Sequence, residues 1–111
     1  MFKLQKQGAV KVISGDQPLN AESALSLKRV ADDALSQGQP RLVLDLQGIA
    51  LFDSVGLEAL LDLRDRCATR GGALQLAAPS RLCRDILAAT GILQQFAIFD
   101  DTLSAVGSFA Q

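Results

Sequence analysis

Ser54 is the residue best placed to do chemistry, because of what flanks it. The segment from Arg41 to Ala68 reads RLVLDLQGIALFDSVGLEALLDLRDRCA. It opens on an apolar run, Leu42-Val43-Leu44-Asp45-Leu46, with the character of a buried strand. A link containing Gly48 leads through Ile49-Ala50-Leu51-Phe52 to Asp53-Ser54-Val55-Gly56-Leu57. Beyond that the apolar residues take helical spacing, with Leu57, Leu60, Leu61 and Ala68 on one face. Ser54 thus falls where a strand and loop give way to a helix. There backbone N–H groups lack helical partners and the positive end of the helix dipole meets solvent. A phosphate, or an acidic group from a partner, is accommodated at such a point. From spacing alone, Asp53 serves equally as a helix cap and Ser54 as an ordinary first-turn residue.

Other chemistries are poorly supplied. The chain has no His, which removes the commonest general base and the usual Ser-His and Cys-His pairs. Its two cysteines, Cys67 and Cys83, fall on or beside apolar helix faces and read as small reduced core residues. With these alone, the usual zinc ligand sets are out of reach. There is no Gly-rich phosphate loop of the GxGxxG or GxxxxGK type. The expectation is a protein that is not an enzyme, with no cofactor and no metal. With 11 basic and 12 acidic residues and no block of either sign, nucleic acid is not an expected partner. No apolar stretch approaches the roughly 20 residues of a membrane span. Met1 to Lys6 lack the apolar core of a secretory signal, so a cytoplasmic location is expected.

The elements that must position Ser54 can be read in order. At 111 residues the chain is expected to be one domain, 1–111, with 49% hydrophobic residues to build a core. Phe2 to Gln5 and Ala9 to Ser14 read as an antiparallel hairpin around Gly8, the second strand carrying Val10, Val12 and Ile13. After turn residues Gly15 to Pro18, Asn20 is a plausible N-cap. Leu27, Val30, Ala31, Ala34 and Leu35 then follow the spacing of one helical face. Ser36 to Pro40 stop that helix, with Gly38 suited to the C′ position. Beyond the central strand and helix, Arg70-Gly71-Gly72 leads into a strand at Ala73 to Ala77. Pro79-Ser80 begins a helix facing inward with Leu82, Cys83, Ile86 and Leu87, and Thr90-Gly91 ends it. Phe96 to Phe99 reads as a last strand, and a terminal helix carries Leu103, Val106 and Phe109. The order β-β-α-β-α-β-α-β-α predicts an α/β domain, its sheet mostly parallel with one antiparallel N-terminal edge strand.

These residues together carry a resemblance. Gly48 to Leu57, with Asp53-Ser54-Val55-Gly56-Leu57 at its centre, is similar to the signature of STAS domains, the sulfate transporter and anti-sigma factor antagonist family. Ser14-Gly15-Asp16, Arg70-Gly71-Gly72, Ala78-Pro79-Ser80 and Thr90-Gly91-Ile92 also fall where the family has comparable residues. The resemblance spans essentially the whole chain and is strongest to stand-alone bacterial anti-sigma factor antagonists. It implies a partner-switching protein whose phosphorylation site is Ser54. The unmodified form would bind an anti-sigma factor that is also a serine kinase; phosphorylation would release it, and a phosphatase would reset it. Asp16, Asp53, Ser54, Val55, Gly56 and Glu58 would lie at the partner-binding face, although Gly56 by itself reads as a close-packing residue. Beyond Glu58, the charged residues Asp62, Asp65, Arg66 and Arg70 read as a solvated helix face, with Asp62 and Arg66 as an i, i+4 pair. Two positions depart from the family pattern. Val55 stands where a small residue is usual, and Pro18 where many antagonists carry an acid, leaving Asp16 as the nearest. The alternative implied by the resemblance is an accessory subunit that docks the ATPase of an ABC transporter without obligatory phosphorylation.

Overall fold

In a computed structural model, which describes residues 2–36 and 38–110, the sheet is built around β3 (Arg41–Asp45). Leu42, Val43 and Leu44 are all buried, as a parallel strand covered on both faces requires. β2 (Val10–Ser14) pairs parallel to it on one side and β4 (Ala73–Ala77) on the other. β5 (Ile98–Phe99) adds a short parallel edge to β4. The opposite edge is β1 (Lys3–Gln7), antiparallel to β2 through a tight turn at Gly8 and Ala9. Gly8 takes φ +63° there, a conformation glycine adopts without strain. The strand order is therefore β1-β2-β3-β4-β5 with one antiparallel pairing, the α/β architecture expected.

Alternate residues of the strands feed two cores. Ile13, Leu42, Leu44, Leu74 and Leu76 join the larger one, under α1 (Ala24–Ala34), α2 (Ser54–Thr69) and α3 (Arg81–Ala89). Val10, Val12, Val43 and Ala77 form the smaller one with Ala105 of α4 (Thr102–Ser108). The period of two along each strand sends neighbours to opposite faces.

Several expectations need correction. Asn20 does not cap α1; its Oδ1 accepts from the N–H groups of Glu22 and Ser23, closing a turn, and the helix begins after Ser23. The C-cap is Leu35, so Gly38, at φ +65°, redirects the connection toward Pro40 instead of closing the helix. Gln37, inside the expected stop, lies outside the described residues. Along α2 the buried residues are Gly56, Leu60, Leu63 and Cys67, with Leu57 and Leu61 half-buried and Ala68 exposed. Leu82 and Leu103, both expected inside, are 51% and 79% exposed; Cys83 with Leu87, and Ala105, take those places. Phe96 lies outside the last strand, following a single 3-10 turn at Leu93–Gln95, and packs under the Arg64 guanidinium, 5.7 Å from the ring centroid. Arg66 pairs across to Asp32 of α1 at 2.5 Å instead of with Asp62 on its own helix.

Candidate functional site

Because β2, β3 and β4 run parallel, the loops that follow them gather at one end of the sheet, the end where open α/β sheets place their sites. Two of these loops are joined by backbone. Leu19 N–H donates to Leu51 O at 3.0 Å, Asp53 N–H donates to Leu19 O at 3.2 Å, and Leu19 and Phe52 form a parallel bridge. Leu19 and Phe52 are themselves buried, so apolar packing reinforces the clamp. Gly48 makes a second close approach: a Cβ there would lie 2.1 Å from the carbonyl oxygen of Gly15. Below, the buried Ser23 hydroxyl donates to Pro18 O at 2.6 Å and steadies the start of α1. The Gly15–Asn20 loop and the Gly48–Asp53 loop thus form one surface.

From that surface α2 departs. Asp53 is its N-cap, with extended backbone, and its Oδ1 accepts from Gly56 N–H at 2.8 Å. Ser54 takes the first helical position and is exposed. Its hydroxyl and its N–H have no protein partner among the described residues. Val55 follows with 40% of its side chain exposed, and Glu58 is exposed one turn further on. Asp16 is exposed on the neighbouring loop. Five of the six residues expected at a partner face are therefore accessible, and four of those five lie on the cap and first turns of α2.

Gly56 is the exception. It is buried, and a Cβ there would stand 1.9 Å from Leu19 O, so its role is to let α2 seat against the clamp. It supports the surface without forming part of it.

Sequence reasoning missed two residues. Leu19 supplies both carbonyl and N–H to the clamp, a backbone role that no side-chain pattern signals. Leu25, 56% exposed, stands off the apolar stripe of α1 and lines the same groove as Val55. Thr90 and Ser80, the other hydroxyls near helix ends, are engaged: Thr90 Oγ1 donates to Ile86 O at 2.8 Å, and Ser80 Oγ accepts from Cys83 N–H at 3.1 Å. The Cys83 thiol donates to Ile49 O at 3.1 Å, and burial pushes its pKa up, which keeps it a poor nucleophile. Among the described residues no helix is long and apolar enough to cross a membrane.

The family model for the STAS domain matches residues 1–105. A Thermotoga maritima protein, solved as a candidate anti-sigma factor antagonist, superposes with TM-score 0.91 at 22% identity, covering 99% of this chain and 95% of that one. An anti-sigma factor antagonist of Mycobacterium paratuberculosis gives 0.87 at 20% identity, covering 100% and 94%. The antagonist SpoIIAA in its unphosphorylated form gives 0.83 at 17%, covering 99% and 96%. At these identities the likeness is one of fold. No curated protein matches the chain by sequence.

Proposed function

Since this chain belongs to the STAS domain family, we propose that it is a partner-switching protein in the manner of the anti-sigma factor antagonists it resembles in fold. In this reading it is not an enzyme. It works in the cytoplasm, where its unmodified form holds a serine kinase that doubles as an anti-sigma factor. Phosphorylation at Ser54 ends that complex, and a phosphatase restores it. The observation that carries the reading is Ser54 itself: an exposed hydroxyl at the first position of α2, with no hydrogen-bond partner among the described residues, beside a cap that does not need it.

The physics of the switch follows from that position. A phosphate on Ser54 adds about −1.5 to −2 charge at neutral pH. Within its own fold this charge sits on the positive end of the α2 dipole and costs little. It also joins exposed Asp53, Glu58 and Asp62, making the face of α2 strongly acidic. In a close interface containing partner carboxylates or apolar surface, that charge is repelled and costly to desolvate. A differential affinity of a few kcal/mol moves such a complex from mostly bound to mostly free.

The test is a pull-down from the source cells with wild type and Ser54→Asp in parallel, captured proteins being identified by mass spectrometry. Wild type should retain a serine kinase of the anti-sigma type that Ser54→Asp loses. Equal capture of a transporter ATPase by both would replace this reading with that of an accessory subunit.

A further inference from the structure

α1 and α2 lie side by side on one face of the sheet and leave an open groove of about 460 Å³ between them. The groove exists because the facing positions are small: Ala24 and Ala31 on α1, Ala59 on α2. It runs from Val55 to Arg66, about 16 Å at about 1.5 Å per residue, which is close to three helical turns. The Arg66–Asp32 ion pair closes the far end. The near end opens at Val55, the residue next to Ser54. Leu25 and Val55, 56% and 40% exposed, stand at its mouth. The rims differ in sign. Lys28 projects from the α1 side, Glu58 and Asp62 from the α2 side, and none of the three is held by an ion pair among the described residues.

We propose that this groove docks an amphipathic helix of a protein partner, with an apolar ridge toward Ala24 and Ala59, an acidic flank against Lys28 and a basic flank against Glu58 and Asp62. A trough three turns long between two helices accepts residues spaced i, i+3, i+4 and i+7, the spacing of a helical ridge. A second copy of this face is concave as well, so two grooves laid together would leave their floors unfilled. The carboxylate rim repels the anionic headgroups of a membrane. In its regulation the proposal rests on the Ser54 reading, since a phosphate there would charge the open end of the groove.

The probe is a synthetic helical peptide with leucines at i, i+3, i+4 and i+7, glutamates along one flank and lysines along the other. It is titrated into the whole protein and followed by amide NMR shifts. Shifts should gather on Ala24, Leu25, Lys28, Val55, Glu58 and Ala59. Lys28→Glu, a surface change that leaves the core intact, should weaken this peptide about fivefold and favour one with lysines on both flanks. Shifts elsewhere, or affinities indifferent to flank charge and to Lys28→Glu, would overturn the proposal. So would broadening of the same amides with protein concentration alone, which would make the groove an interface between copies. A peptide that binds wild type and Ser54→Asp equally would uphold the groove while removing the switch at its mouth.

Discussion

Ser54 and Ser80 stand at two helix starts on the same end of the sheet, one slot apart in the capping frame. Ser80 is the N-cap of α3, and its oxygen is committed to Cys83 N–H. In α2 the cap is Asp53, and the serine follows it into the first helical position, where its exposed hydroxyl has no hydrogen-bond partner among the described residues. The third positions differ as well. Gly56 is pressed against Leu19 O, whereas Cys83 has room for a thiol that reaches Ile49 O. Even the approaches differ: α3 is entered through Ala78 at φ +54°, α2 through a loop clamped by hydrogen bonds. One residue type is structural in one slot and available for modification in the next. What separates them is the capping frame, not their surroundings in sequence.

The largest effect should come from Gly56→Ala, whose new Cβ would meet Leu19 O at 1.9 Å and unseat α2. A loss of more than about 3 kcal/mol is expected in chemical denaturation. The corresponding change in α3, Cys83→Ala, removes only a thiol and should cost about 1–2 kcal/mol. Equal losses would mean that α2 is not pinned to the clamp.

Next come the two helices' buried thiols. Burial pushes the Cys67 pKa up to about 11, against an ordinary value of 9.0. A folded pKa above the unfolded one means the unfolded chain gives up its proton first. This contribution is therefore whole below pH about 9 and declines as pH rises toward about 11, by on the order of 2–3 kcal/mol. Denaturation midpoints of wild type and Cys67→Ala between pH 8 and 11 should converge; parallel curves would show the thiol is accessible to solvent.

The caps should behave alike, Asp53→Ala and Ser80→Ala each costing about 1 kcal/mol in thermal melts. Ser54→Ala should cost almost nothing. A loss at Ser54 as large as at Ser80 would erase the distinction drawn between them. The smallest effects concern the dipole. Arg81, exposed at the first position of α3, opposes it, so Arg81→Glu should gain about 0.3–1 kcal/mol, and Ser54→Asp a similar or smaller amount. Destabilisation by Ser54→Asp would show that Ser54 is not at a free helix start.

The sheet was legible in the sequence because parallel strands buried on both faces leave continuous apolar runs, as at Leu42 to Leu44. The inner face of α1 was legible too, since Leu27, Ala31, Ala34 and Leu35 leave no competing stripe. α2 was not, for a definite reason. Leucines at 57, 60, 61 and 63 spread over about 160° of the helix, wider than the face that is buried, so hydrophobicity alone does not choose its centre. The choice is made by Gly56, whose contact with Leu19 O turns 60, 63 and 67 inward. Leu103 misled for the opposite reason: small Ala105 is what fits α4 closely over Val12 and Val43. At the site, the Asp53-Ser54 junction was readable as a strand-to-helix transition. The clamp was not, because hydrogen bonds between two loop backbones leave no mark on residue type.

The Leu19–Phe52 bridge has a consequence for how this surface can change. Loops ordinarily open one at a time, and their amides exchange with solvent early. Here the amides of Leu19 and Asp53 are tied to the opposite loop, so the two segments should exchange as a unit. Since main-chain atoms hold the alignment, the outward side chains at 55 and 58 are left as an alphabet that can be rewritten without disturbing the page. New affinities can arise there by single substitutions, while the frame that presents them is inherited intact.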